Sequence, residues 1–192
     1  MITIIYAHPY PSHSHSNRVL RDAVNNLPDV HIRSLYELYP DFHINVRAEQ
    51  EALLQSHTIV LQHPLHWYHT PALLSLWMEK ILSYGWAYGE NGTALHGKRL
   101  MWAVSTGGDA DSYSASGYNN FTMLQLGTPI QQTALFCGME WLPPFITHDA
   151  GTISNDALLL ASEAYRDRLV AELTQLKTQP SIHQTHTFTM GS

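Results

Sequence analysis

The stretch TIVLQHPLHWYHTPALLSLWMEKIL, residues 58–82, restricts the fold more than any other. Ile59, Val60 and Leu61 make a short β-branched, apolar run, which reads as a strand. Pro64 and Pro71 bracket an irregular loop, and Ala72, Leu73, Leu76, Trp77, Lys80 and Ile81 then recur at helical spacing. Strand, loop and helix in that order belong to an α/β crossover unit. In an open α/β sheet such a loop lies beyond the carboxyl end of its strand, where ligands bind. Leu65, His66, Trp67 and Tyr68 are therefore expected to line a site. The rings of Trp67 and Tyr68 suit a planar ligand with an apolar body and a hydrogen-bonding edge.

The same alternation runs through the chain. Strands are expected at 2–7, 31–35, 58–62, 100–105 and 139–143, and helices beginning at Asn17, Glu49, Ala72, Asn120 and Ser154. The fold class is α/β, a doubly wound five-stranded parallel sheet. Its order, 2-1-3-4-5, is inferred from the architecture, since no local signal encodes it. At 192 residues, 44% hydrophobic and 14% charged, the chain suffices for one packed domain, assigned to 1–177. Residues 178–192 contain no Asp, Glu, Lys or Arg and no apolar period, and are expected to form a flexible tail or an arm on a neighbouring subunit. The net charge of −6, with scattered Lys and Arg, argues against a nucleic-acid partner. The single cysteine, Cys137, excludes an internal disulfide, fits a reducing compartment and reads as a buried small hydrophobe. Met1 runs directly into the first strand and no apolar run reaches membrane-span length, so a cytoplasmic location is expected, with any membrane association through a protein partner.

Three loops converge at one edge of this sheet. The first, AHPYPSHSHSN at 7–17, offers Ser14, Ser16 and Asn17 at a helix N-terminus, where N–H groups and the helix dipole favour a phosphate. Taken alone, these residues are better explained by ordinary N-capping. The glycine-rich dinucleotide fingerprint and the Walker lysine motif are absent. The loop after the fourth strand, Ser105 to Gly108, carries Gly107 and Gly108 where backbone can approach a ligand and form an anion-stabilising nest. Phosphate donors, aromatics and a Gly pair on one side of the sheet together suggest FMN. Thirteen histidines invite a metal reading. Pro64 and Pro71, however, keep His63, His66 and His69 off one helical face, and no Cys pair or His-Glu motif exists, so no metal site is expected.

The order of AHPYPSHSHSN, HPLHWYHTPALLSLWMEKIL, GWAY at 85–88 and WAVSTGG at 102–108 resembles that of the flavodoxin-like NAD(P)H:quinone oxidoreductases. With LYELYPDF at 35–42 and CGMEWLPPF at 137–145, it is similar to the ancillary subunits of bacterial glutathione-gated potassium-efflux antiporters. The resemblance implies an FMN-dependent homodimer, with FMN rather than FAD, that takes hydride from NADH or NADPH and passes it to a quinone by ping-pong turnover. It also implies docking on the cytoplasmic face of the inner membrane through an antiporter that the protein activates. Carried over by motif, His8, Ser14, His15, Ser16 and Asn17 hold the phosphate and ribityl end. Leu65, His66, Trp67 and Tyr68 contact the isoalloxazine, and Ser105, Thr106, Gly107 and Gly108 approach its pyrimidine side.

Related mammalian quinone reductases carry a Tyr and a His after the Gly pair; the Tyr matches Tyr113, while the His falls on Asn119. Neutral Asn cannot relay a proton as imidazole does. Tyr113 and His66 are therefore the candidate catalytic residues. Two functional classes stay open: a quinone reductase that also serves the antiporter, and a chiefly non-catalytic, flavin-bound regulatory subunit. Trp77, Tyr84, Trp86 and Tyr88 either face a second subunit or fill a monomer core.

Overall fold

Ile2–Tyr6 (β1) is buried at all five positions in the computed structural model, which describes residues 1–178. A strand covered on both faces needs apolar side chains in both directions. Ile2, Ile4 and Tyr6 enter one core cluster, whereas Ile5 and Ala7 enter the other. Val30–Ser34 (β2) and Thr58–Pro64 (β3) flank β1, and Arg99–Ser105 (β4) lies beyond β3, all parallel. The register runs Ile4↔Ile32, Ile4↔Val60 and Val60↔Met101. The order 2-1-3-4-5 is therefore that of a flavodoxin-like sheet.

Its fifth position departs from a single strand at 139–143. Glu140–Trp141 (β5) pairs with Arg99 and Leu100, and Phe145–Thr147 (β6) pairs with Ala103, Val104 and Ser105. Pro143 and Pro144 separate the two pieces, since proline has no N–H for the ladder. The aromatic and β-branched run Phe145, Ile146, Thr147 was the available signal for the second piece.

Ser16–Val24 (α1) and Asn155–Thr178 (α7) cover one face. Leu35–Leu38 (α2), Val46–Gln55 (α3), Ala72–Ile81 (α4), Met123–Leu126 (α5) and Thr128–Phe136 (α6) complete the helices, with α3, α4 and α6 supplying the core of the opposite face. Asn45 caps α3 by accepting from Ala48 N–H at 3.1 Å, so the helix begins ahead of Glu49. Thr178 closes α7, and the tail expected beyond it lies outside the described residues. Cys137 is buried and free, and burial pushes its thiol up. Trp77 belongs wholly to the core, whereas Tyr84 is exposed beside Tyr88, which in turn packs on the exposed Phe136.

The helix expected from Asn120 is split at Gly127, which ends α5 and precedes α6. A Cβ there would sit 2.6 Å from Trp102 Cζ3. Trp102 is itself buried, so neither partner can move away freely. Gly127→Ala should cost about 1–3 kcal/mol by overpacking, measured by urea unfolding; a neutral substitution would show that the contact yields.

Candidate functional site

At the carboxyl ends of β1, β3, β4 and β6, four segments line a cavity of about 280 Å³. His8, His15, Ser16, Asn17, Leu65, His66, Ser105, Thr106 and Gly107 are among its walls. Leu65 N–H donates to Ser105 C=O at 2.8 Å, joining the loops after β3 and β4. The Asn17 amide donates to Ser105 Oγ at 2.6 Å, and Ser16 Oγ donates to Ala150 C=O at 2.9 Å. Beneath them, buried Gln62 donates to Asn17 C=O at 2.9 Å and accepts from Tyr165 of α7 at 3.1 Å.

These bonds show that the first loop does not serve α1 as a side-chain cap. No side chain caps α1; the first N–H in it to reach a carbonyl is that of Val19, to His15 at 3.1 Å. Ser14 instead pairs its hydroxyl with Tyr6 at 3.0 Å, and Ser16 and Asn17 tie neighbouring loops. The N–H groups of Ser16, Asn17 and Arg18 thus stay available at the positive end of the helix dipole. Asn17 Oδ1 is buried without a partner at the same place. An orphaned acceptor beside uncapped donors is costly in a dry core, but suits a ligand carrying both an anion and hydroxyls. The phosphate and ribityl chain of FMN present that combination, so the residues fit the group.

Trp67 and Tyr68 form the corner of a two-residue hairpin. His66 N–H donates to His69 C=O at 2.9 Å and His69 N–H returns the bond at 2.8 Å. Both corner residues are left-handed, at φ 48° and 61°. Such turns favour Asn or Gly, so two bulky side chains here store strain on the order of 1–3 kcal/mol each. Trp67 stands 93% exposed rather than against the cavity wall, an unusual position for a large aromatic. Tyr68 donates to Asn119 Oδ1 at 3.1 Å and lines a second, apolar cavity of about 210 Å³ on the far side of Leu65.

Ser14, bonded to Tyr6, and Gly108 are not among the walls of the main cavity, and Tyr113 Cε2 is 3.4 Å from where a Gly108 Cβ would be. His13, Pro64, Ala150 and Gly151 also line the cavity and escaped the sequence reading. Ala150 and Gly151 follow β6, so missing that half-strand hid them.

Two histidines are held neutral. His8 is lowered to about 4, first by burial and then by His66. His63 is fully buried and also lowered to about 4, chiefly by burial. Trp102 Nε1–H donates to His63 Nε2 at 2.8 Å, which leaves Nδ1–H to donate to Pro64 C=O at 2.9 Å. Among the described residues no cluster of three His, Cys, Asp or Glu is arranged to hold a metal, and no helix is long and apolar enough to cross a membrane.

The family model for the flavodoxin-like fold matches residues 1–169. The chain is 52% identical over 171 residues to the glutathione-regulated potassium-efflux system ancillary protein KefF of Salmonella typhi, covering 89% of this chain and 96% of that protein. General stress protein 14 of Treponema denticola, solved in complex with FMN, shares 36% identity with a TM-score of 0.82, over 91% of this chain and 98% of that one. An NADPH-quinone reductase of P. pentosaceus shares 32% with a TM-score of 0.81, over 88% and 96%. A chain described as a thermophilic tryptophan halogenase of Streptomycin violaceusniger shares 39% with a TM-score of 0.85, over 88% and 98%. The names differ while the architecture is common to all. This chain belongs to the flavodoxin-like family of NAD(P)H:quinone oxidoreductases and of the ancillary proteins of glutathione-regulated potassium-efflux systems.

Proposed function

We propose that the protein is an FMN-dependent NAD(P)H:quinone oxidoreductase that also acts as the ancillary, activating subunit of a glutathione-gated potassium-efflux antiporter. The observation that carries the flavin reading is the uncapped start of α1, opening on a cavity beside the orphaned Asn17 Oδ1. Support for the reaction comes from the quinone-reductase and FMN-complex relatives, and support for the partner from the 52% identity to KefF.

Bound FMN would supply two-electron redox chemistry between NADH or NADPH and a quinone. The chain's residues bind, orient and shield. Backbone N–H groups of Ser16, Asn17 and Arg18 would hold the phosphate, and Asn17 Oδ1 would accept from a ribityl hydroxyl. Leu65 and His66 would pack against the ring, and the 105–108 loop would meet it at Gly107, which has open space where a Cβ would be. His8, neutral at physiological pH, offers a hydrogen bond without a charge. Nicotinamide and quinone use one pocket in turn, hence ping-pong turnover. Tyr113 is the proton donor proposed for the quinone oxygen, with His66 as the alternative. The exposed Tyr84 and Phe136 form the face on which a second copy packs in a homodimer.

The phosphate assignment has a direct test. Charge-assisted hydrogen bonds are worth roughly 1.5–3 kcal/mol each, so FMN should bind at least about 100-fold tighter than riboflavin. Equal affinities by fluorescence quenching would contradict it. A variant without turnover that still stimulates potassium efflux would favour the chiefly regulatory role.

A further inference from the structure

The apolar cavity on the far side of Leu65 takes no part in the flavin site. It measures about 210 Å³, and Leu65 lines both it and the main cavity. Its floor is made of buried side chains, Trp102, Ile130 and His63, and its mouth is marked by the exposed Tyr68 and Pro129. No Asp, Glu, Lys or Arg lines it. The polar side chains that do are committed to protein partners through their hydrogens. Trp102 Nε1–H donates to His63 Nε2 at 2.8 Å, and His63 Nδ1–H to Pro64 C=O at 2.9 Å. Tyr68 O–H donates to Asn119 Oδ1 at 3.1 Å, and Thr133 O–H to Pro129 C=O at 2.8 Å. Ser75 donates to Pro71 C=O at 3.5 Å, so the 2.6 Å contact between Thr70 Oγ1 and Ser75 Oγ uses the Thr70 hydrogen. His69 Nδ1–H then makes the 3.3 Å contact with Thr70 Oγ1.

This inventory selects the occupant. A ligand carbonyl or carboxylate entering the cavity would leave water and find no donor in exchange. Water itself needs two to four polar partners in a buried site, whereas an apolar cavity of about 150 Å³ stays dry and takes up benzene. We propose that the cavity is a binding site for a small uncharged arene of one or two fused rings, separate from the flavin site. Trp102 and Tyr68 supply ring faces, and Met78, Leu126 and Ile130 the aliphatic contacts, with the flexible thioether of Met78 adapting to the ring's outline. Quinone oxygens are acceptors only, so the cavity discriminates against the quinone itself. The inference does not depend on the quinone-reductase reading.

The test uses indane, a two-ring hydrocarbon without polar atoms, and 1-indanone, the same skeleton with one carbonyl. Calorimetric titration of the full chain, flavin-free and after loading with FMN, should show one indane per chain with a dissociation constant of about 1 mM or tighter. The value should be the same in both forms. 1-Indanone should bind at least about fivefold more weakly, because its oxygen goes unpaired. Ile130→Phe and Thr133→Leu each add bulk at the lining, and each should weaken indane at least about tenfold while leaving FMN affinity unchanged. Thr133 is only partly buried, so its variant decides the matter if the Ile130 variant does not fold. Four results overturn the proposal: no saturable binding of indane, as when a second copy's side chain fills the cavity; loss of indane binding on addition of FMN, which would make the cavity part of the flavin site; equal affinity for 1-indanone; or undiminished indane binding in a folded variant. A chain that binds indane but takes up no flavin ends the flavin reading and leaves this one standing.

Discussion

Glu49→Ala should lower the free energy of unfolding by about 3–5 kcal/mol, the usual cost of removing one partner from a buried ion pair. Glu49 is completely buried, and four donor contacts converge on its carboxylate. Arg33 Nε and Nη2 reach Oε1 at 2.8 and 2.5 Å, Tyr39 O–H reaches the same oxygen at 2.5 Å, and Trp77 Nε1–H reaches Oε2 at 2.9 Å. Those donors come from β2, the residue after α2, and α4, so one side chain on α3 ties four segments of the sheet's α3/α4/α6 side. Truncation strands a partly buried guanidinium and two buried donors. Glu49→Gln keeps the volume and one acceptor and should cost less than Ala. Urea unfolding of both variants checks this; a loss below about 1 kcal/mol for Ala would mean that the network contributes little.

Nothing around Glu49 in the sequence marks it as buried, since a glutamate in a helix's first turn normally faces water. The same limit explains what was and was not legible elsewhere. The β-branched runs at 2–6 and 58–64 announce central strands because parallel strands covered on both faces need continuous apolar side chains. The aromatic loop after β3 and the Gly pair after β4 mark the candidate functional edge for the same topological reason. Which atoms serve the ligand was not legible. The first loop read as offering hydroxyl, amide and backbone N–H donors together, and of these the fold spends the side chains of Ser14, Ser16 and Asn17 on Tyr6, Ala150 and Ser105. Trp67 read as a cavity wall, whereas the left-handed corner turns it outward, a reversal that no Gly or Asn announces.

The second large effect is a loss of stability on mild acidification. Burial, with smaller contributions from His66 and His69, keeps His63 neutral, with a pKa of about 4 against the ordinary 6.5 that it regains on unfolding. Above pH 6.5 both states carry the neutral ring, and the difference contributes nothing. Between pH 6.5 and 4 the unfolded chain binds a proton that the folded chain refuses, so stability falls as pH falls. The gap corresponds to about 3 kcal/mol by the time pH 4 is reached. His8 acts in the same direction, by a smaller amount because it is only half-buried and water screens it. His63→Gln retains an acceptor for Trp102 but cannot titrate in this range. Urea midpoints measured from pH 7 to pH 4.5 should fall more steeply for the native protein than for this variant. Parallel slopes would show that His63 is already charged in the folded state.

The most direct test of the central claim is the visible spectrum of the protein purified without added cofactor, with any released chromophore identified by mass. The predicted result is bound FMN, bleached by NADH or NADPH and restored by a benzoquinone. A colourless protein that takes up neither added FMN nor FAD would contradict the flavin site built at α1, β3 and β4, and with it the quinone-reductase reading.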